Sequence, residues 1–256
     1  MRGTSSRLLR HEVAGVPVWL LVPVVTVIVV LVAAIALRGG RPPEPVAFRD
    51  VPVPSASSTA RALPAHPRLL IFGDSYTYGS MADPLTKGYA YLVANSLGWQ
   101  HRIDALPGTG YVNGGPNGLK SPYGVRLTKL IADHTFRPDV VILEGSQNDY
   151  VGVAKVRAAV DSVVRQLRHA YPGVTVVLFG PAAPQPGLNT LVAIDSQMAA
   201  AAFDMGVPYI SPYEEQWFTT ANTPRYGAPD GAHLSTAGHA YLAKRFLTDF
   251  RHLFGL

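Results

Sequence analysis

The apolar positions of this chain fall into three regimes. From Val13 to Leu37 the residues run without a charge. At about 1.5 Å per residue such a run is long enough to cross a hydrocarbon core of roughly 30 Å. From residue 38 to 67 apolar periodicity is lost, and Pro42, Pro43, Pro45, Pro52, Pro54, Pro64 and Pro67 recur among Ser and Ala. A stretch of that kind stays extended and builds no core. From Arg68 onward short apolar runs alternate with longer amphipathic ones. Leu69–Phe72, His101–Leu106, Val140–Leu143, Val174–Phe179 and Val207–Ile210 read as strands. Tyr89–Leu97, closed by Gly98, reads as a helix, as do Val125–His134, Leu188–Met205 and Thr236–Phe254 with Ser235 as N-cap. Val153, Val156, Val160, Val163, Val164 and Leu167 follow the i, i+3, i+4 spacing of one long helix. No internal repeat is present.

Strands alternating with helices predict a parallel sheet covered on both faces. Function in such sheets gathers at the carboxyl ends of the strands. Four loops fall there, after Phe72, Leu106, Leu143 and Ile210.

Charge adds little about that domain. The net charge is +5, but residues 1–67 hold seven arginines against three acidic residues, and the remainder is close to neutral. A nucleic-acid partner is therefore not implied. The absence of cysteine rules out a disulfide framework, a thiolate metal site and a cysteine nucleophile. The expected organisation is a basic cytoplasmic tail (1–12), a transmembrane signal-anchor (13–37), a linker (38–67) and an α/β domain (68–256) held outside the cytoplasm. The competing expectation is secretion after cleavage near Ala36, because Ala34-Ile35-Ala36 has the small-residue pattern of a signal-peptide site.

Candidate chemistry lies in the four loops. Gly73-Asp74-Ser75 stops the first strand and places a serine two residues beyond the glycine. Gly73 permits a sharp exit, and Ser75 could present its hydroxyl at the strand end, although a serine there also serves as a simple turn cap. Pro107-Gly108-Thr109-Gly110 offers a glycine N–H that a ligand can approach. Gly108-x-Gly110 lacks the third glycine of a dinucleotide fingerprint, and Gly118-Leu119-Lys120-Ser121 lacks the Gly-Lys step of a P-loop. In Glu144-Gly145-Ser146-Gln147-Asn148-Asp149 the Asn148 amide can donate to an oxyanion without adding charge. Asp149 suits the N-cap of the helix beginning near Val151, which leaves Asn148 free. Asp230-Gly231-Ala232-His233 puts an acid three residues before a histidine, so that one turn can hold His233 through Nδ1 and aim Nε2 as a base.

These blocks together resemble the SGNH (GDSL-type) hydrolase family, over residues 68–256. Gly73-Asp74-Ser75, Gly108, Asn148 and Asp230-x-x-His233 occur in the family's order. The resemblance implies a flavodoxin-like three-layer α/β/α fold with a parallel sheet of about five strands. It implies Ser75 as nucleophile, His233 as base, Asp230 as the acid, and an oxyanion hole of the Ser75 and Gly108 N–H groups with the Asn148 side chain. Tyr76 departs from the family's leucine, and Ser146 stands where the third block usually has glycine. No cofactor or metal is expected. The expected substrate is a carboxylic ester, of the short-chain O-acyl kind found on envelope polysaccharide or glycolipid, handled by a monomer. Tyr76, Tyr111 and Trp217, with Tyr78 and Tyr226, are candidate aromatic walls for a sugar. A lipase or lysophospholipase, an O-acyltransferase and a non-catalytic envelope-binding module are the rival readings.

Overall fold

Five short runs, Leu69–Gly73 (β1), His101–Ala105 (β2), Val140–Glu144 (β3), Thr175–Phe179 (β4) and Tyr209–Ile210 (β5), form one parallel sheet in the order β2-β1-β3-β4-β5. This computed structural model describes residues 63–256 and, ahead of them, residues 12–13 and 16–17. All residues of β1 and β3 are buried, as expected for central strands covered on both faces and rich in β-branched side chains. The order is the doubly wound one in which the chain reverses direction between β1 and β3, and ligands collect at the carboxyl ends beside that reversal.

Alternation along the strands feeds two separate cores. Leu69, Ile71, Val140, Ile142, Val177 and Phe179 point to one face and pack against Tyr89, Ala90, Val93 and Ala94 of α2 (Tyr89–Leu97) and Leu242, Phe246 and Phe250 of α7 (Thr236–Phe254). Leu70, Phe72, Val141, Leu143, Val176 and Leu178 point to the other. They meet α3 (Tyr123–Ala132), α4 (Val153–Ala170) and α5 (Asn189–Met205). Each fully buried side chain of this kind contributes about 1.5–3 kcal/mol, so the three layers hold one another. Two shorter helices complete the chain, α1 (Ser75–Tyr78) after β1 and α6 (Thr223–Tyr226) between β5 and α7.

Element types match the expectations, with ends moved by one or two residues. The last helix matches at both ends, and Ser235 caps it by accepting the Gly238 N–H at 3.2 Å. Asp149 does not cap α4, whose N-cap is Gly152 with no side-chain hydrogen bond. The linker boundary also shifts. Leu63 packs against the α2–α7 core and Pro67 is buried, so the packed chain begins a few residues before Arg68.

The anchor expected over 13–37 is not helical where its first residues are described. Glu12–Val13 pairs antiparallel with Val16–Pro17 instead. The rest of that run, the tail up to residue 11 and the linker up to residue 62 lie outside the described residues. Among the described residues no helix is long and apolar enough to cross a membrane.

Candidate active site

Gly73 closes β1 because nothing larger fits. A Cβ there would collide with Thr77 Oγ1 and Glu144 Oε2, since the register Phe72↔Leu143 lays the end of β1 against Glu144. The chain then turns at once into α1. Asp74 is its N-cap and accepts the Tyr76 N–H at 2.9 Å. Gly79 ends it in the left-handed region at φ 86°, with its N–H on the Ser75 and Tyr76 carbonyls. Ser75 opens the turn and is 5% exposed. Among the described residues its own N–H has no acceptor.

Asp230 folds back on a single turn. Its Oδ1 accepts the Ala232 and His233 N–H groups at 3.0 and 2.9 Å, and its Oδ2 meets His233 Nδ1 at 2.6 Å. Gly231, at φ 68°, makes the reversal possible. His233 Nε2 then lies 3.0 Å from Ser75 Oγ. Partial desolvation pushes the Asp230 carboxyl up. The hydrogen bonds from the His233 ring, the His233 N–H and the Ala232 N–H outweigh it and bring the group down to about 2. An ionised Asp230 fixes the proton on Nδ1 and leaves Nε2 to accept from the serine. Tyr76 props this turn from below, its hydroxyl donating to the Ala232 carbonyl at 2.6 Å and its ring 5.7 Å from that of His233.

The loops after β2 and β3 complete the site. The Leu106 N–H donates to the Gly73 carbonyl at 3.2 Å, which docks the β2 loop on the end of β1. Gly108 sits at φ 77°, a left-handed conformation that favours glycine, and among the described residues its N–H has no acceptor. Asn148 lies between the two loops, its amide donating to Thr109 O at 2.9 Å and to Asp74 Oδ2 at 3.0 Å. It is therefore less free than its sequence position suggests. Arg126, 7% exposed, is a further tie that the sequence did not reveal. It donates to Gly73 O and Thr109 Oγ1 at 2.8 and 2.9 Å and pairs with Asp104, while its guanidinium lies 4.2 Å from the Phe72 ring centroid.

Asp149 has the role of a loop organiser rather than a cap. Its carboxylate accepts the N–H groups of Tyr111, Val112 and Asn113 at 2.7–2.9 Å and the Ser146 hydroxyl, so it shapes the β2 loop from the β3 loop. The hydroxyl of Ser146 is engaged there, which gives that departure from the family pattern a use.

Two further carboxyls lie behind the serine, both fully buried. Glu144 Oε2 accepts the Asp74 N–H at 3.2 Å and the Thr77 hydroxyl at 2.8 Å. Asp74 accepts the Asn148 amide at 3.0 Å and the Gln147 amide at 3.2 Å. Burial raises Glu144 to about 7 against the opposing hydrogen bonds from Thr77 and Asp74. Burial, then the nearby Glu144, raises Asp74 well above the usual carboxylate range. A carboxyl ending the apolar run Val140–Leu143 was the signal available in the sequence for Glu144.

The aromatic walls need correction. Tyr76 is 1% exposed and supports the His233 turn. Tyr111, 3% exposed, packs with its ring centroid 4.7 Å from Tyr123. Trp217 is fully buried, its indole N–H on Glu215 and its ring against Phe179. None of the three offers an open face, because the two cores claim them. Tyr226 stacks on Tyr241 at 4.4 Å, and Tyr78 is 40% exposed. Among the described residues no three His, Cys, Asp or Glu side chains gather as a metal ion would require.

This arrangement resembles known proteins at three levels. The family model described as "GDSL-like Lipase/Acylhydrolase family" matches residues 71–241. A GDSL lipase of Mycobacterium tuberculosis is 26% identical over 192 residues, spanning 68% of this chain and 78% of that protein. A family two carbohydrate esterase from Cellvibrio japonicus has a TM-score of 0.59 at 21% identity, over 75% of this chain and 63% of its own. TesA has a TM-score of 0.57 at 20% identity, over 73% of this chain and 99% of its own. At these identities the two solved structures establish a shared fold.

Proposed function

Because this chain belongs to the GDSL-like lipase/acylhydrolase family and is a hydrolase, we propose that it cleaves carboxylic esters through an acyl-enzyme on Ser75. The observation that carries the reading is the unbroken chain Ser75 Oγ, His233 Nε2, His233 Nδ1, Asp230 Oδ2, at 3.0 and 2.6 Å. His233 takes the Ser75 proton as Oγ bonds to the ester carbonyl carbon. The negative charge that develops on the carbonyl oxygen is met by the Ser75 and Gly108 N–H groups and by Asn148, which shares an amide hydrogen now directed at Asp74 or Thr109. Collapse breaks the bond to the alkoxide, which leaves with the proton from His233. Water, deprotonated by the same nitrogen, then releases the acid and restores Ser75.

The substrate in this reading is a short-chain O-acyl ester on an envelope glycan or glycolipid. Support comes from the resemblance in fold to carbohydrate esterases and from the sequence, where an uncharged run and a Pro-rich linker precede the domain. The domain is read as extracytoplasmic, tethered by residues 13–37 or released near Ala36. The test is an ester panel with the full chain, comparing chromogenic acetyl and long-chain esters with acetylated sugars, and with a sugar acceptor present or absent. Free acid released fastest from acetyl esters is the expected result. Acid appearing only as acyl transferred to the acceptor would replace hydrolysis with acyl transfer, and no turnover of any carboxylic ester would end the reading.

A further inference from the structure

The loops at the carboxyl edge of the sheet carry large apolar side chains that neither core uses. Met81, Leu85, Leu119, Tyr150, Val151 and Leu188 are 40–74% exposed. Each belongs to a segment tied to the catalytic loops. The Asp83 N–H donates to Thr236 Oγ1 at 2.9 Å, which holds 81–85 beside the start of α7, three residues past His233. Leu119 lies over Gly115, whose N–H bonds Asn113, whose own amide bonds the Asn148 carbonyl. Tyr150 and Val151 follow Asn148 in the same turn. The Gln185 amide donates to Gly231 O, inside the Asp230–His233 turn, at 2.9 Å, and the Leu188 N–H rests on Gln185 O. The segments that carry these side chains are therefore joined to the loops that hold Ser75, Asn148 and His233. Tyr78 of α1 and Val125 in the first turn of α3 are comparably exposed, and beyond these, among the described residues, only Phe203 and the C-terminal Leu256 are large, apolar and as exposed. Phe203 sits in the last turn of α5, at the opposite edge of the sheet.

Cations stand beside these tips. Lys87 follows Leu85 by two residues, Lys120 follows Leu119 directly, and Lys155 follows Val151 by four. All three lysines are exposed, and none is in an ion pair among the described residues. Arg225 adds a fourth exposed cation at this end, against the exposed acids Asp83, Glu214 and the ionised Asp230, with Glu215 taken up by Arg245. Recognition of a glycan calls for hydroxyl partners and flat aromatic faces, and with Tyr76, Tyr111 and Trp217 buried only Tyr78 and Tyr150, among the described residues, leave rings exposed at this end. Aliphatic tips paired with ammonium groups have the chemistry of a bilayer interface. The apolar ends enter the acyl region while the lysines stay at the level of anionic headgroups.

We propose that this face docks on an anionic lipid surface, with Leu119, Val151 and Leu188 inserting around Ser75, so that the ester reaching the serine is carried on a lipid. The second half rests on the hydrolase reading; the docking does not. A tether through the uncharged run 13–37 would not by itself set this orientation. A chain as long as residues 38–67 can reach on the order of 90 Å when extended.

The chain has no cysteine, so single labels can be placed cleanly. Full-length Ser75→Ala protein carrying Leu119→Cys, Val151→Cys or Phe203→Cys is labelled with an environment-sensitive fluorophore. It is then reconstituted in vesicles of phosphatidylcholine alone or mixed with phosphatidylglycerol. The expected result is a blue shift and quenching by lipid-borne spin labels at 119 and 151 in the anionic vesicles, weakened by high salt, with 203 unchanged. No shift at 119 and 151, an equal shift at 203, or a shift with acylated polysaccharide in place of vesicles would each overturn the proposal. In the Ser75 enzyme, Leu119→Ser combined with Val151→Ser should cut turnover of a vesicle-borne ester about tenfold and leave a soluble acetyl ester unaffected. Equal loss on both esters would contradict the lipid-borne substrate. A parent enzyme inert on soluble and vesicle-borne esters alike would sink the hydrolase reading while the fluorophores still report docking.

Discussion

Asp230 and Asp74 are both one hydrogen bond from the machinery around Ser75, in opposite surroundings. Asp230 is on an outer turn with its side chain 34% exposed, and the bonds it accepts keep it ionised, with its carboxyl at about 2. Asp74 is fully buried, with no cation paired to it among the described residues. Burial and the neighbouring Glu144 push its proton affinity up. The carboxyl adjacent to the serine in sequence is thus the poorer anion. The one far along the chain holds the histidine. In the proposed reaction Asp230 orients the base, whereas Asp74 gathers the Tyr76 N–H and the amides of Gln147 and Asn148.

The widest separation between the two should come from Asp230→Asn. An amide at this position no longer fixes the proton on Nδ1, and kcat for a soluble ester should fall about 10⁴-fold. The melting temperature should stay near that of the parent, because the turn is exposed. A large loss of stability would mean that Asp230 is architectural after all. Next in size is Asn148→Ala, with kcat reduced about 10²–10³-fold and KM little changed. Steady-state kinetics with an unchanged kcat would remove Asn148 from the oxyanion hole and leave it only as a brace between Asp74 and Thr109.

Asp74→Ala should act in the reverse sense to Asp230→Asn. It strands buried donors at a cost of about 1–3 kcal/mol each. In a domain of this size each kcal/mol lowers the melting temperature by about 2–4 °C. Calorimetry showing an unmoved transition would break the contrast. The smallest effect concerns pH. Glu144 is raised when folded, so its contribution is complete below its unfolded pKa of about 4.3. That contribution is lost as pH climbs through about 7. Glu144→Gln should therefore flatten the decline of the melting temperature between pH 5 and 8. Asp230, lowered when folded, works in the other direction and loses its contribution as pH falls from about 4 toward 2. An unchanged slope in Glu144→Gln would show that this carboxyl is ionised in the folded state at neutral pH.

Most of the sheet was legible because β1, β3 and β4 are built on uninterrupted apolar runs. Ser235 was legible as a cap because capping is local. Asp230 and His233 belong to one turn, so their pairing follows from spacing alone, and the geometry now joins that turn to Ser75. The role of Asp149 was not legible. Its partners are backbone N–H groups 36–38 residues earlier, which leave no mark in residue type. Nor was the meeting of Asp74 with Glu144, 70 residues apart, since it depends on strand register. The aromatic walls were misjudged because closeness to a motif in sequence says nothing about which face a ring turns to. Tyr111 and Trp217 had a core to fill.

In the proposed reaction Ser75 becomes acylated while His233 holds its proton. Intact-protein mass spectrometry after brief exposure to an activated acyl ester, followed by peptide mapping, measures this directly. One acyl group on Ser75, absent in Ser75→Ala and much slower to form in His233→Ala, is the predicted result. Acyl on another residue, or undiminished ester turnover in Ser75→Ala, would contradict it.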